Sequence, residues 1–320
     1  MRRYPPDTLA IIGNGFDLAH GYKTDYRSFA ESTESPYLEE FRSYCQREQI
    51  ATWYLFEENI RRISGRLFLD SMEEGCDFAG NRREVARVTA VFQEIQRLLA
   101  RCLAREMARI PFCKKRSIQE QLGPGGVAIN FNYTQTAEQY LPAVFYVHGS
   151  LKEEDILLGY DYREEPCLAQ FADMRWSKQI GRESLAFRRF LRQQEGLCPG
   201  SPQYNRMIAG LEGYHHWENS GRGLEEEMKA ILPGYGTIHR FLTAYRLAPF
   251  PGLEFSSIRT VVALGHGIEG DKAYLRSLMD RCGGIDRIVL FRYDGEPEES
   301  YQRKRRFFAP YCDRVDPAFY

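Results

Sequence analysis

Short, uninterrupted apolar runs, each stopped by glycine or a small polar residue, narrow the fold of this chain more than any other feature. They lie at residues 8–12, 127–131, 143–147, 156–158, 260–264 and 287–292 and are rich in β-branched and aromatic side chains. A strand with one wet face alternates apolar and polar residues. A continuous run instead belongs to a strand covered on both faces, as in a parallel sheet sandwiched between helices. Between the runs the period changes to that of a helix. Trp53, Phe56, Ile60 and Ile63 recur at spacings of three and four, and Val88, Phe92, Ile95, Leu99, Cys102 and Leu103 extend a stripe over about residues 84–110. Further helical patterns occupy about residues 183–195, 224–232, 236–247, 271–282 and 296–308, with Gly283-Gly284 as a stop before the last run.

The prediction is an α/β chain with a Rossmann-like, mostly parallel sheet flanked by helices. It is a single domain over residues 1–320, with core segments at about 7–30, 125–162 and 258–320 and two large helical insertions at about 46–122 and 166–250. No Pro/Gly/Ser-rich linker separates these pieces. The insertions are expected to cover the strand ends, where open α/β sheets bind ligands.

Charge and cysteine usage restrict the partners. Lys plus Arg is 43 and Asp plus Glu is 44, so the net charge of −1 argues against a protein coated in cation for nucleic acid or an anionic membrane. The basic runs Lys114-Lys115-Arg116 and Arg303-Lys304-Arg305-Arg306 are short and read as solvated helix ends. No run of about 18 apolar residues exists, so no membrane span is expected. The eight cysteines include no Cys-x-x-Cys pair and read as thiols in a reducing compartment, pointing to the cytoplasm. No paired carboxylates stand at metal-ligand spacing, so no metal is expected.

Four segments carry chemistry. In Gly13-Asn14-Gly15-Phe16-Asp17 a glycine pair follows the first run directly, which permits a tight turn and close approach to a phosphate. Leu18 occupies the place of the third glycine of a dinucleotide fingerprint, so a plain strand-to-helix turn capped by Asp17 is an equal reading. The segment Asn130-Phe131-Asn132-Tyr133-Thr134 puts amides where a strand stops. They can orient a ligand's hydroxyls, although a turn is the simpler reading. His148-Gly149-Ser150 ends another run with the side chain best suited to take a proton near neutral pH. Gly265-His266-Gly267 follows a fourth run and leads to Asp271. Glycine at 267, where a hydrolase elbow needs its serine, makes this a ligand-cradling loop. His20 is read as structural, and His215, His216 and His239 as surface or packing residues.

Together these segments resemble a known family. Ile11-Ile12-Gly13-Asn14-Gly15-Phe16-Asp17-Leu18-Ala19-His20-Gly21-Tyr22-Lys23-Thr24-Asp25-Tyr26, with Phe29, looks like the signature of the bacteriophage abortive-infection AbiH family. Trp53, Phe56 and Glu57, then Phe131-Asn132-Tyr133-Thr134, His148-Gly149, Gly159-Tyr160-Asp161, and Gly265-His266 with Asp271 follow in that family's order. Gly267 departs from it, standing where the family usually shows serine. The same order is similar to that of sirtuin-like domains of antiviral defence proteins, whose asparagine and histidine serve NAD+ cleavage.

That resemblance implies a sirtuin-like fold and catalytic roles for His148 and Asn132. NAD+ or a related nucleotide is then substrate or ligand, with no further cofactor. Its binding residues are Gly13, Asn14, Gly15, Phe16, Asp17, Tyr133, Thr134, Gly265, His266 and Asp271. Thr134 departs from the sirtuin-like aspartate, and Phe16-Asp17 replaces a small residue plus serine. The expected function is phage defence through cleavage of the nicotinamide–ribose bond, restrained until a phage-derived trigger arrives. The alternative is a non-catalytic sensor of a nucleotide or ADP-ribose.

Overall fold

The computed structural model describes residues 6–60, 62–63, 78–123, 125–153, 155–156, 158 and 255–320. Its strands are β1 (Thr8–Ile12), β2 (Val127–Asn130), β3 (Ala143–Tyr146), β4 (Gly149–Ser150), β5 (Asp155–Ile156), β6 (Thr260–Leu264), β7 (Arg287–Arg292) and β8 (Val315–Phe319). Six of them form one all-parallel sheet in the order β3-β2-β1-β6-β7-β8. Counted within the sheet this is 3-2-1-4-5-6, the Rossmann order, and the direction of winding reverses between β1 and β6. The expected α/β parallel sheet is therefore the observed one.

The continuous apolar runs are explained by what lies on either side. Leu9 and Ile11 of β1 point to one face with Val261, Ile288, Leu290, and Leu275, Leu278 and Met279 of the helix Lys272–Met279. Ala10 and Ile12 point to the other, with Phe16, Val262, Leu264, Phe291, and Ile118 and Leu122 of the helix Arg116–Leu122. Each of the larger side chains among these contributes about 1.5–3 kcal/mol by leaving water. A polar residue at any of these positions forfeits that on a face with no solvent.

Two details differ from the sequence reading. The run at residues 156–158 contributes Ile156 to β5, which pairs antiparallel with β4 in a two-stranded ribbon outside the sheet. The strand β8 was not foreseen, because Asp316 and Pro317 interrupt its apolar pattern. Proline lacks the N–H a central strand needs, but β8 has a neighbour on only one side, where Pro317 is tolerated. Arg287 of β7 pins it by donating to Asp316 at 2.7 Å.

Contacts group the described residues within 1–35, 95–158 and 255–320 into one compact unit, which holds the sheet, and those within 36–94 into a second. In the second, the helix Pro36–Arg47 buries Leu38, Phe41, Tyr44 and Cys45, and the Phe41 ring lies 5.1 Å from Phe56 and 5.8 Å from Phe92. The stripe expected at 84–110 is part of the helix Phe78–Arg109. The patterns at 183–195, 224–232 and 236–247 fall outside the described residues, as do His215, His216, His239 and Gly159-Tyr160-Asp161.

Candidate functional site

Every segment singled out for chemistry, where described, follows a parallel strand at its C-terminal end. After β1 the chain turns through Gly13 and Asn14 into a single turn of helix, Gly15–Ala19. After β6 it turns through Gly265. The two turns touch backbone to backbone. A Cβ on Gly13 would stand 2.6 Å from His266 Cα, and one on Gly15 would stand 2.8 Å from Gly265 Cα. The Gly13 N–H donates to Leu264 O, Gly15 N–H to Gly265 O and Phe16 N–H to Gly13 O, each at 2.9 Å. The glycines thus serve loop-to-loop packing, and three amides that a phosphate would seek already have partners.

The β2 loop is held by its own amides. Asn130 accepts from Asn132 N–H at 3.0 Å and donates to Thr134 O at 3.2 Å, so one side chain fixes the turn. Asn132 Nδ2 donates across to Gly13 O at 3.0 Å, joining the β1 and β2 loops. Thr134 Oγ1 donates to Asp17 Oδ2 at 2.6 Å and lies 3.2 Å from Thr136 Oγ1. Asn14 Oδ1 accepts from Thr24 Oγ1 at 2.6 Å, and Tyr133 OH lies 3.3 Å from Tyr26 OH. His20 is structural in this geometry. Its ring bridges Phe16 O at 2.7 Å and Tyr140 OH at 2.8 Å and stacks on Phe112.

Asp17 is fully buried, and its Oδ1 has no hydrogen-bond partner. Burial raises its pKa to about 6 against hydrogen bonds from Thr134, Thr136 and Asn132 that lower it. A carboxyl whose folded pKa lies above its unfolded value of 3.8 favours folding in its protonated form. The contribution of Asp17 to stability is then greatest below pH about 4, falls as pH rises through about 6, and is level above that. Relative to Asp17→Asn, which mimics the neutral acid, the wild type should lose about 2 kcal/mol between pH 4 and 7. Parallel urea titrations of the two proteins at both pH values measure this, and a constant difference would refute it.

The second cluster gathers around Asp271, which opens the helix Lys272–Met279. Its carboxylate faces two histidines from different strand ends. His266 Nε2 is 3.1 Å from Oδ2, and His148 Nε2 is 3.8 Å from Oδ1. The histidine side chains are 4% and 5% exposed against 19% for Asp271, so water reaches the carboxylate better than the rings. Ile268 N–H donates to His266 Nδ1 at 2.9 Å, which places the ring proton of neutral His266 on Nε2, toward Asp271. At 3.1 Å that contact is a hydrogen bond, whereas at 3.8 Å the His148 contact is electrostatic. Burial would raise the Asp271 pKa. The close His266 contact and the electrostatic influence of both histidines outweigh burial and hold the carboxyl well below the usual range. Phe131 lies edge-on between the rings, 4.3 Å from His266 and 5.8 Å from His148.

The predicted residues therefore form two neighbouring groups. Gly13, Gly15, Phe16, Asp17, Asn132 and Thr134 knit the β1 and β2 loops, while His148, His266 and Asp271 form a histidine–carboxylate–histidine cluster. The sequence had suggested His266 and Asp271 only as ligand-cradling residues. Thr136 was not singled out, and Asn130 was read only as a strand-end amide, since an amide that braces a turn looks the same in sequence as one at a turn's surface. Among the described residues, no group of three or more His, Cys, Asp or Glu side chains is placed to hold a metal ion.

The family model described as Bacteriophage abortive infection AbiH matches residues 9–293, which contain both clusters. The chain belongs to the AbiH family. Membership implies a role in abortive infection by bacteriophage. No curated protein and no solved structure matches the chain. Gly267 is exposed, and a Cβ there would meet nothing within 4 Å, so the position has room for a side chain. No helix among the described residues is long and apolar enough to cross a membrane.

Proposed function

We propose that this AbiH protein carries out its abortive-infection role by cleaving the nicotinamide–ribose bond of NAD+ at the strand ends of its parallel sheet. The observation that carries the reading is the Asp271 carboxylate shared by His148 and His266 beside the loop of Asn132. A histidine backed by a carboxylate is a competent general base, because the carboxylate stabilises the imidazolium that forms when the ring accepts a proton.

The reaction needs little else. The bond between ribose C1′ and the pyridinium nitrogen breaks, and its electron pair stays on nitrogen as neutral nicotinamide departs. Water adds to the oxocarbenium carbon, and its proton goes to His148, yielding nicotinamide and ADP-ribose. With Nε2 turned to Asp271, His148 takes that proton on Nδ1. Asn132 Nδ2 donates to Gly13 O, so it meets a ligand through its carbonyl oxygen. It also positions the loop on which Tyr133 and Thr134 lie.

The test is incubation of purified protein with NAD+, with and without lysate from phage-infected cells, with nicotinamide and ADP-ribose read by chromatography. Product that vanishes in His148→Ala is the expected result. Measurable NAD+ binding with no product under either condition would replace cleavage with the sensor reading. A related enzyme that transfers ADP-ribose would release nicotinamide without stoichiometric free ADP-ribose.

A further inference from the structure

The loop that carries Asp271 is closed on itself by three contacts. Ile268 N–H donates to His266 Nδ1 at 2.9 Å, and Asp271 N–H donates to Ile268 O at 3.1 Å. The His266 Nε2 contact to Asp271 Oδ2, at 3.1 Å, completes the ring. At its centre Ile268 is buried and holds φ +71°, ψ −49°. A β-branched residue takes a positive φ only where its surroundings impose it, and such residues cluster at functional sites. The imposing contacts here are the His266 ring on its N–H and the Asp271 backbone on its carbonyl. The ring is itself seated. Its centroid lies 4.3 Å from that of Phe131, and its Cα packs on Gly13 so closely that a Cβ there would stand 2.6 Å away.

A neutral imidazole has one donor and one acceptor nitrogen, and His266 commits both within the protein. Neither nitrogen is left for a ligand, although the sequence had placed His266 among the ligand-binding residues. Asp271 is divided differently. Its Oδ2 meets His266, and its Oδ1 is the oxygen that faces His148 at 3.8 Å. Tying one oxygen to a seated ring fixes the plane of a carboxylate that would otherwise turn about its own side-chain bonds.

We propose that His266 is a positioning residue: it takes no proton from the reaction and, through Oδ2, holds the Asp271 carboxylate with Oδ1 turned to His148. The assignment rests on the reading of His148 as the general base. The groups around the His148 ring are Asp271, His266 across the carboxylate, and Tyr133 and Phe131, whose rings lie 6.3 Å and 5.8 Å from it. Of these only Asp271 is an anion at neutral pH, so its aim governs how readily His148 accepts a proton.

Two substitutions separate the jobs of the His266 ring, because each keeps one of its bonds. In His266→Asn the side-chain carbonyl reaches the place of Nδ1 and accepts from Ile268 N–H, while Oδ2 loses its donor. In His266→Gln the amide reaches the place of Nε2 and donates to Oδ2, while Ile268 N–H loses its brace. His266→Gln should therefore melt at the lower temperature of the two. The protonation midpoint of His148, followed by NMR of the full chain and assigned with His148→Ala, should run in the opposite order. It should stay near the wild-type value in His266→Gln and fall by about 1 pH unit in His266→Asn, whose carboxylate is free to turn away. In the wild type, nitrogen shifts should place the proton of the neutral His266 ring on Nε2. A proton on Nδ1 overturns the proposal. So does a His148 midpoint that holds or rises in His266→Asn, or one that falls as far in His266→Gln. None of these readings requires turnover, so a wild type that releases no nicotinamide with or without infected lysate refutes NAD+ cleavage separately. Where turnover is present, kcat should fall further in His266→Asn than in His266→Gln, with KM unchanged in both.

Discussion

Gly265→Ala should destabilise the protein by more than about 4 kcal/mol, the range reserved for substitutions that force backbone apart. Gly265 has φ +64°, a conformation that costs a side-chain-bearing residue about 1–2 kcal/mol before any contact is considered. Contact adds the larger part. The new Cβ would stand 2.1 Å from Phe16 N, 2.3 Å from Gly15 C and 2.5 Å from Gly15 Cα, all of them backbone atoms that no rotamer change can move. Relief requires separating the β1 and β6 turns, which breaks the bond from Gly15 N–H to Gly265 O and uncovers the joint between the two central strands. Gly267→Ala, two residues on, is the control. Its Cβ meets nothing within 4 Å, and its effect should stay within about 0.5 kcal/mol. Urea denaturation of the pair decides the matter, and equal stability of both variants would show that the two turns are not packed as described.

The second large effect concerns turnover. If the protein cleaves NAD+ through His148, His148→Ala should lower kcat by about 10²–10⁴-fold, the usual worth of a general base. Asp271→Asn probes a positioning residue, which acts through His148. It should lower kcat less and also move the acidic limb of the pH–rate profile to lower pH, because the ring loses the anion that favours its protonation. Asp271 also contributes to stability with a definite sign. Its folded pKa is depressed, so its contribution is present above its unfolded value of 3.8 and is lost as pH falls through the folded pKa. The stability gap between wild type and Asp271→Asn should therefore close in strong acid. A variant that loses activity with an unmoved pH profile would assign Asp271 to architecture alone.

The outcome at particular residues shows how far a linear reading reaches. The runs at β1, β6 and β7 were legible because strands buried on both faces leave an uninterrupted apolar string. The opposite case is β8, where Asp316 and Pro317 are accommodated only because the strand has a single neighbour. Glycine was legible as a need for close approach, but which backbone approaches was decided only by the fold. The spacing of Gly13 and Gly15 suggested an incoming phosphate as readily as a plain turn, and their nearest neighbours are Gly265 and His266. The carboxylates show the same limit. Asp17 and Asp271 are identical in type, yet one is pushed up to about 6 by burial and the other is held low by two histidines.

Local chemistry along the chain determined the strands, the helical stripes, the turn residues and the family signature, because each depends on neighbours a few positions apart. Pairing across long separations was decided only in three dimensions. His148 follows β3, whereas His266 and Asp271 follow β6 more than a hundred residues later in sequence. The strand order that brings β1 beside β6, and Asp271 between two imidazoles, follows from how the sheet buries both of its faces.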